Sequence, residues 1–357
     1  MKTILNKKLV DNTKQPLFLG EDLSLQRYDK FRYPIFNDLF TRQLENFWRP
    51  EEVTGIGRDR NDFKDDSIMS ENERFIFTSN LQYQTMMDSV ICRGVQTIQG
   101  YVSNNELEAS INAWQFFEQI HSYSYTYIIK NVYSDPGKVF DDCLQNNEII
   151  KRTNVAVREY DNLMKVAGKS KKEIKKQIYL TLISINILEA VRFYVSFVCA
   201  FAFAENKKMM GNADIIKLIK RDEALHLYNT QEIIKILHSV PEEGFIATAK
   251  DCQDEAIEMF ESAASEEKKW AAYLFKDGSI LGLNETILSK YVDWLCHARR
   301  KTIGLPYETG HKNPIAGWTD PWMNSGLVQE AAQEVDITRY KIGASINDID
   351  TAEYGTL

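Results

Sequence analysis

The chain has 357 residues, 44% hydrophobic and 26% charged, with a net charge of -8 at neutral pH. That acidic balance opposes binding to nucleic acid through its phosphates, and no basic stripe with interleaved aromatics offsets it. Five cysteines (Cys92, Cys143, Cys199, Cys252, Cys296) are scattered without a Cys-x-x-Cys spacing, which argues against a disulfide framework or a thiolate zinc site.

The first ten residues lack the long apolar core of a signal peptide, so a cytoplasmic protein is expected. Pro16, Pro34 and Pro50 and the polar run 58–72 imply irregular chain with short helices up to about residue 70. Beyond that the apolar period is helical and predicts helices at about 71–102, 106–133, 137–165, 172–206, 211–238, 241–275 and 283–303. Asn104 or Asn105 and Ser170 are suited to cap two of them. The pattern implies an all-α bundle forming one domain over 1–332. Residues 333–357 are polar and mildly acidic, with Tyr340, Ile342, Ile346, Ile349, Tyr354 and Leu357 among their large apolar groups. They read as a disordered tail able to bind a partner.

A two-part pattern occurs twice along these helices. Asp88 is followed about thirty residues later by Glu118-Gln119-Ile120-His121, and Glu189 by Glu223-Ala224-Leu225-His226. On a helix, residues three apart share a face, so each Glu-x-x-His aims two metal-binding groups at one point. One such pair plus one carboxylate makes half a site, and two halves facing each other make a dimetal carboxylate centre in a four-helix bundle. Glu-x-x-His is short, and a third copy, Glu308-Thr309-Gly310-His311, lies between Pro306 and Pro314, where a helical turn is not expected. His238 and His297 read as structural.

The surroundings of the two helical copies give them weight. Residues 179–204 are apolar enough to suggest a membrane span, but Asn186, Glu189 and Arg192 sit mid-run, which fits the centre of a soluble bundle better. A buried acid there needs compensation, and a metal ion supplies it. Tyr125 stands four residues after His121, on the same helix face. Phe193 and Phe197 follow Glu189 by four and eight, and Ile219 precedes Glu223 by four, so all three are placed to wall in the phenol. A tyrosine beside an oxygen-activating metal pair, shielded from water and reductants, is suited to store one oxidising equivalent.

Five segments carry a family resemblance. They are Phe47-Trp48-Arg49-Pro50-Glu51-Glu52-Val53, residues 80–89 containing Asp88, Glu118 to Thr126, residues 188–197 containing Glu189, and Arg221-Asp222-Glu223-Ala224-Leu225-His226-Leu227. In this order they resemble the small, radical-bearing subunit of class I ribonucleotide reductase, from about residue 20 to the end. The resemblance implies a ferritin-like homodimer with two iron ions per chain held by Asp88, Glu118, His121, Glu189, Glu223 and His226, and O2 as activator. It implies a stable radical on Tyr125 in a pocket of Phe193, Phe197 and Ile219. It further implies that Asp222 links His121 to Trp48, and that Tyr340 in the tail relays the oxidising equivalent to the large subunit.

The chain departs from the pattern in two places. The lysine-rich junction near 163–172 is too short for a hairpin inserted in some relatives, and Tyr123 and Tyr127 flank the radical position where basic or imidazole side chains occur elsewhere. The Phe-Trp-Arg-Pro-Glu-Glu run favours iron, although the same donors suit manganese. The competing readings are a ferritin-like di-iron oxygenase or ligand-binding oxidase with its own substrate, and an iron-storage bundle.

Overall fold

A computed structural model describes residues 6–323, so Tyr340 and the tail 333–357 lie outside the described residues. Helices α1 (Pro34–Glu45), α2 (Ile56–Lys64), α3 (Glu71–Gln99), α4 (Asn105–Val132), α5 (Pro136–Gln145), α6 (Asn147–Met164) and α7 (Lys171–Ile187) come first. A π turn, Leu188–Arg192, then runs directly into α8 (Phe193–Glu205). The order ends with α9 (Met210–Ser239), α10 (Ile246–Asp251), α11 (Gln253–Leu274), α12 (Glu285–Thr302) and the short α13 (Asp320–Met323). No strand occurs among the described residues, only isolated bridges at Phe18–Val102 and Ile280–Leu283.

The expected helices are present, with differences that have local causes. The segment 137–165 is two helices because Asn146 is extended and its side chain accepts the amides of Glu148 and Ile149, restarting the helix. The segment 241–275 opens with a 3-10 turn closed by Gly244 at φ 68°, and Cys252 then separates α10 from α11. Asn104 and Ser170 are N-caps as expected, and Ser70 and Ser170 both form reciprocal capping boxes.

Four helical segments close into a ring: α3 packs on α4, α4 on α9, α9 on α8, and α8 on α3. The continuous helical run Lys171–Glu205 is long and apolar enough to cross a membrane, yet the whole of its apolar window is buried inside the bundle. Polar ties fix the ring. Asn80 donates to the Ser196 carbonyl (3.0 Å), Asn186 to Thr230 Oγ1 (2.9 Å) and Asn229 to Ser110 Oγ (2.7 Å). Each satisfies a polar group that burial would otherwise penalise.

The start of α9 is held from outside. Met209 stands at φ 51° without a side-chain cap of its own, and α2 supplies one. Buried Asp59 accepts Gly211 N (3.0 Å) and Asn212 N (2.5 Å), while Asp62 accepts Met209 N (3.3 Å). Carboxylates at a helix N-terminus satisfy its free amides and oppose its dipole. Burial pushes Asp59 up to about 6 despite those amides. The approach of α2 to α9 is closed at Gly211, where a Cβ would stand 2.5 Å from Ile56 N and 2.6 Å from the Gly55 carbonyl carbon. Gly211→Ala is therefore expected to destabilise the protein by about 2 kcal/mol and to lower its melting temperature; an unchanged melt would mean that this contact does not fix α9.

Candidate metal centre

The ring of helices brings together all six of the side chains singled out by the double pattern. Asp88 comes from α3, Glu118 and His121 from α4, Glu189 from the π turn, and Glu223 and His226 from α9. All six are fully buried. His226 Nδ1 lies 2.9 Å from Glu118 Oε1 and 3.1 Å from Glu223 Oε2, and His121 Nδ1 lies 3.0 Å from Glu223 Oε1 and 3.6 Å from Glu118 Oε2. Each glutamate thus offers one oxygen to each imidazole, the arrangement of two carboxylates set between two adjacent positions. One donor atom from each of these four residues lies within 4.8 Å of the others.

The acids at the flanks are less satisfied still. Neither oxygen of Asp88 or Glu189 receives a hydrogen bond of good geometry. Burial, then the charges of Glu118 and Glu223, hold the Asp88 carboxyl well above its usual range. Burial and the charges of Glu223 and Glu118 do the same to Glu189. Glu223 moves the other way: burial opposes its charge, but its contact with Glu189 and the charge of His121 outweigh burial. Burial also opposes protonation of both imidazoles, yet the acids raise His121, through Glu223 first, and His226, through Glu118 first. Without another cation the centre can lower its repulsion only by taking up protons. Carboxylate and imidazole donors with free lone pairs converging on two positions fit divalent transition metals such as iron or manganese.

Tyr125 is fully buried and its hydroxyl makes no hydrogen bond of good geometry. Burial, then the charges of Asp88 and Glu223, raise it well above the usual phenol value, so it is a neutral phenol. Phe193 and Phe197 stack with centroids 6.0 Å apart. These two and Ile219 are buried in the same apolar cluster as Tyr125.

Trp48, Asp222 and His121 form a chain. Trp48 Nε1 donates to Asp222 Oδ2 at 2.6 Å, and the same oxygen lies 3.3 Å from His121 Nε2. Arg221 holds the other oxygen from 3.1 Å and 3.2 Å and donates to the Asn46 carbonyl, which fixes the carboxylate plane. A second tryptophan at the centre, Trp114, was missed in the sequence. Its Nε1 donates to Glu118 Oε1 at 2.7 Å, and its ring stacks on His226 at 5.3 Å. The available signal was its position four residues before Glu118, on the same helix face.

Tyr123 is half exposed and its hydroxyl donates to Glu51; Tyr127 is partly buried against the core. The segment Glu308–His311 is not helical, as expected, but the fold brings it to His297. The rings of His297 and His311 stack at 4.3 Å, and Glu308 N donates to His297 Nδ1 at 3.1 Å. That bond leaves the neutral ring's proton on Nε2, facing the Glu308 carboxylate at 3.9 Å. The group is a hydrogen-bonded clasp between α12 and the following loop.

A helical bundle with this donor set is a carboxylate–histidine dimetal protein. The family described as "Ribonucleotide reductase, small chain" matches residues 26–314. The chain is 43% identical to the ribonucleoside-diphosphate reductase subunit beta of Haemophilus influenzae, covering 99% of this chain and 98% of that one. It is 44% identical to ribonucleoside-diphosphate reductase 1 subunit beta of Escherichia coli O157:H7, covering 96% and 95%. Among solved structures, the ribonucleotide reductase R2 subunit from Clostridium botulinum is similar with a TM-score of 0.81 at 26% identity, covering 90% of this chain and 98% of that one. The chain belongs to the ribonucleotide reductase small-chain family.

The protonation pattern gives a test. Asp88, Glu189, His121 and His226 all bind protons more tightly in the metal-free fold than in the unfolded chain. Their contribution to stability is therefore present at low pH and lost as pH rises. Glu223 has the opposite sign, but its loss falls below the ordinary carboxylate range. The metal-free protein should melt higher at about pH 6 than at about pH 8, whereas the metal-loaded protein, whose ligands must be deprotonated, should show the reverse. Parallel pH slopes for the two forms would reject this account.

Proposed function

We propose that this chain is the beta subunit of a class I ribonucleotide reductase that stores one oxidising equivalent as a stable radical on Tyr125. In this reading Asp88, Glu118, His121, Glu189, Glu223 and His226 hold two iron ions per chain. The same donors also accept manganese. The observation that supports the reading most directly is a fully buried tyrosine beside a cluster of four buried acids that only two imidazoles offset. When bound, the metal pair supplies the oxidising power of O2 activation.

The chain's own residues do the rest. Tyr125 begins as a neutral phenol and gives up its proton when it loses an electron. Asp88, the nearby acid whose charge weighs most on it, is the acceptor we assign. Phe193, Phe197 and Ile219 keep water and reductants from the phenoxyl oxygen. Trp48 loses an electron toward the centre while its indole proton stays shared with Asp222 Oδ2, and Arg221 keeps that carboxylate from turning away. Asp222 in turn orients His121.

Residues 1–332 would form the metal and radical domain, acting as a homodimer. The tail 333–357 would dock on the large subunit, with Tyr340 relaying the oxidising equivalent to the site where ribonucleoside diphosphates are reduced. Five free cysteines, none disulfide-bonded, suit the reducing cytoplasm.

Loading with ferrous iron and oxygen should give two irons per chain and a tyrosyl electron paramagnetic resonance signal. Tyr125→Phe should still load iron and consume oxygen, because the phenol is not a ligand, but should lack the stable signal and reductase activity. A full-strength tyrosyl spectrum in that variant would move the radical elsewhere, with Tyr123 and Tyr127 the first suspects.

Removing 333–357 should leave the Tyr125 signal intact and abolish nucleotide reduction. Tyr340→Phe should bind the large subunit normally and turn over negligibly, whereas Leu357→Ala should weaken docking and recover at high large-subunit concentration. Normal turnover without the tail would favour a self-contained oxygenase.

A further inference from the structure

Glu189 differs from the other five donors in its backbone. It stands inside the π turn Leu188–Arg192, where an extra residue disturbs the regular ladder of helix hydrogen bonds. Such a turn needs restraint from outside, and two helices that contribute no donor to the centre provide it. From α12, Arg299 Nε donates to the carbonyl of Ala190 at 3.3 Å and lays its guanidinium over the Tyr194 ring at 4.8 Å. From α11, Glu267 and Glu266 hold Arg192, the last residue of the turn. Arg192 NH1 lies 2.9 Å from Glu267 Oε1 and NH2 lies 2.6 Å from Glu266 Oε2.

Glu267 has a second attachment. The same oxygen accepts the Tyr83 hydroxyl at 2.8 Å, and Tyr83 is on α3, five residues before Asp88. One fully buried acid therefore grips both the turn that carries Glu189 and the helix that carries Asp88. Arg192 and Tyr83 are buried too. A buried ion pair adds little net stability compared with well-packed apolar side chains, so its use is sought in what it positions.

We propose that Glu267 is a positioning residue that, through Arg192, holds the π turn in the register placing the Glu189 carboxylate against Glu223, and so sets the affinity and ligand field of one metal position. This rests on the two-metal reading above. Arg299 restrains the same turn from α12, and Tyr83 keeps α3 at a fixed distance from it.

The test uses the full-length chain. Ferrous titration would give the two affinities, and Mössbauer spectra of iron-57-loaded protein would report each position separately. Glu267→Gln is nearly isosteric and removes only the charge. It should weaken one of the two positions by on the order of 10-fold and shift that position's quadrupole doublet, leaving the other doublet unchanged. Glu267→Asp, which restores the charge, should recover part of the loss, and Glu266→Gln, at the more exposed end of Arg192, should do less. If Glu267→Gln does not fold, Arg299→Met loosens the turn without touching Glu267 and should give the same one-sided weakening.

Wild-type affinities and spectra in both positions, or equal weakening of both, would overturn the proposal. Wild-type protein that binds fewer than two ions would overturn the two-metal reading first.

Discussion

Four carboxylates and two imidazoles are buried together in an apolar interior, where the acids repel one another and only the imidazoles offset them. This constraint governs the bundle. An isolated buried charge costs far more than a typical hydrogen bond returns, and here the oxygens of Asp88 and Glu189 receive no hydrogen bond of good geometry. The fold must therefore be rigid enough to keep the acids together without their own cohesion. Its helix boundaries show how that is done.

The rigidity comes from elements with no part in the chemistry. Asp59 and Asp62 on α2 cap α9 and so locate Asp222, Glu223 and His226. Gly55 and Gly211 let the two helices approach closely enough for this capping. The segment before α1 is itself pinned far along the chain: buried Glu243 accepts Leu17 N at 2.7 Å and the Tyr33 hydroxyl at 2.6 Å. Between those anchors Trp48 is delivered to Asp222. Contacts of such long sequence separation are slow to form, but once made they leave the centre little freedom to relax.

Much of this was legible in the sequence because helical periodicity is a local signal. Two acids followed by two Glu-x-x-His pairs picked out the six side chains that the bundle buries together, and spacing of three on a helix fixed the shared face of each pair. Ser170 and Asn104 announced their helices through capping chemistry. What escaped was non-local or subtle. Asn146 interrupts a stretch whose apolar period continues on both sides, so periodicity alone joined α5 to α6. The π turn at Glu189 lies in a run apolar on every side, where no face exists to reveal a change of register. The meeting of His297 with Glu308 and His311 depends on a loop folding back, which no spacing rule contains. Trp114 was within reach of the same reasoning that found Tyr125, but it precedes the motif rather than following it.

The place of Trp114 has an optical consequence. Its indole nitrogen donates to Glu118 and its face lies on His226, so one fluorophore touches a carboxylate and an imidazole that themselves stand 2.9 Å apart in the centre. Indole emission responds to nearby charge and is quenched by paramagnetic neighbours. Trp48 is a bond further out, beyond Asp222. Two of the chain's six tryptophans thus stand at graded distances from the same point, and with the other four replaced by phenylalanine their emission would separate what happens at the donors from what happens one residue away.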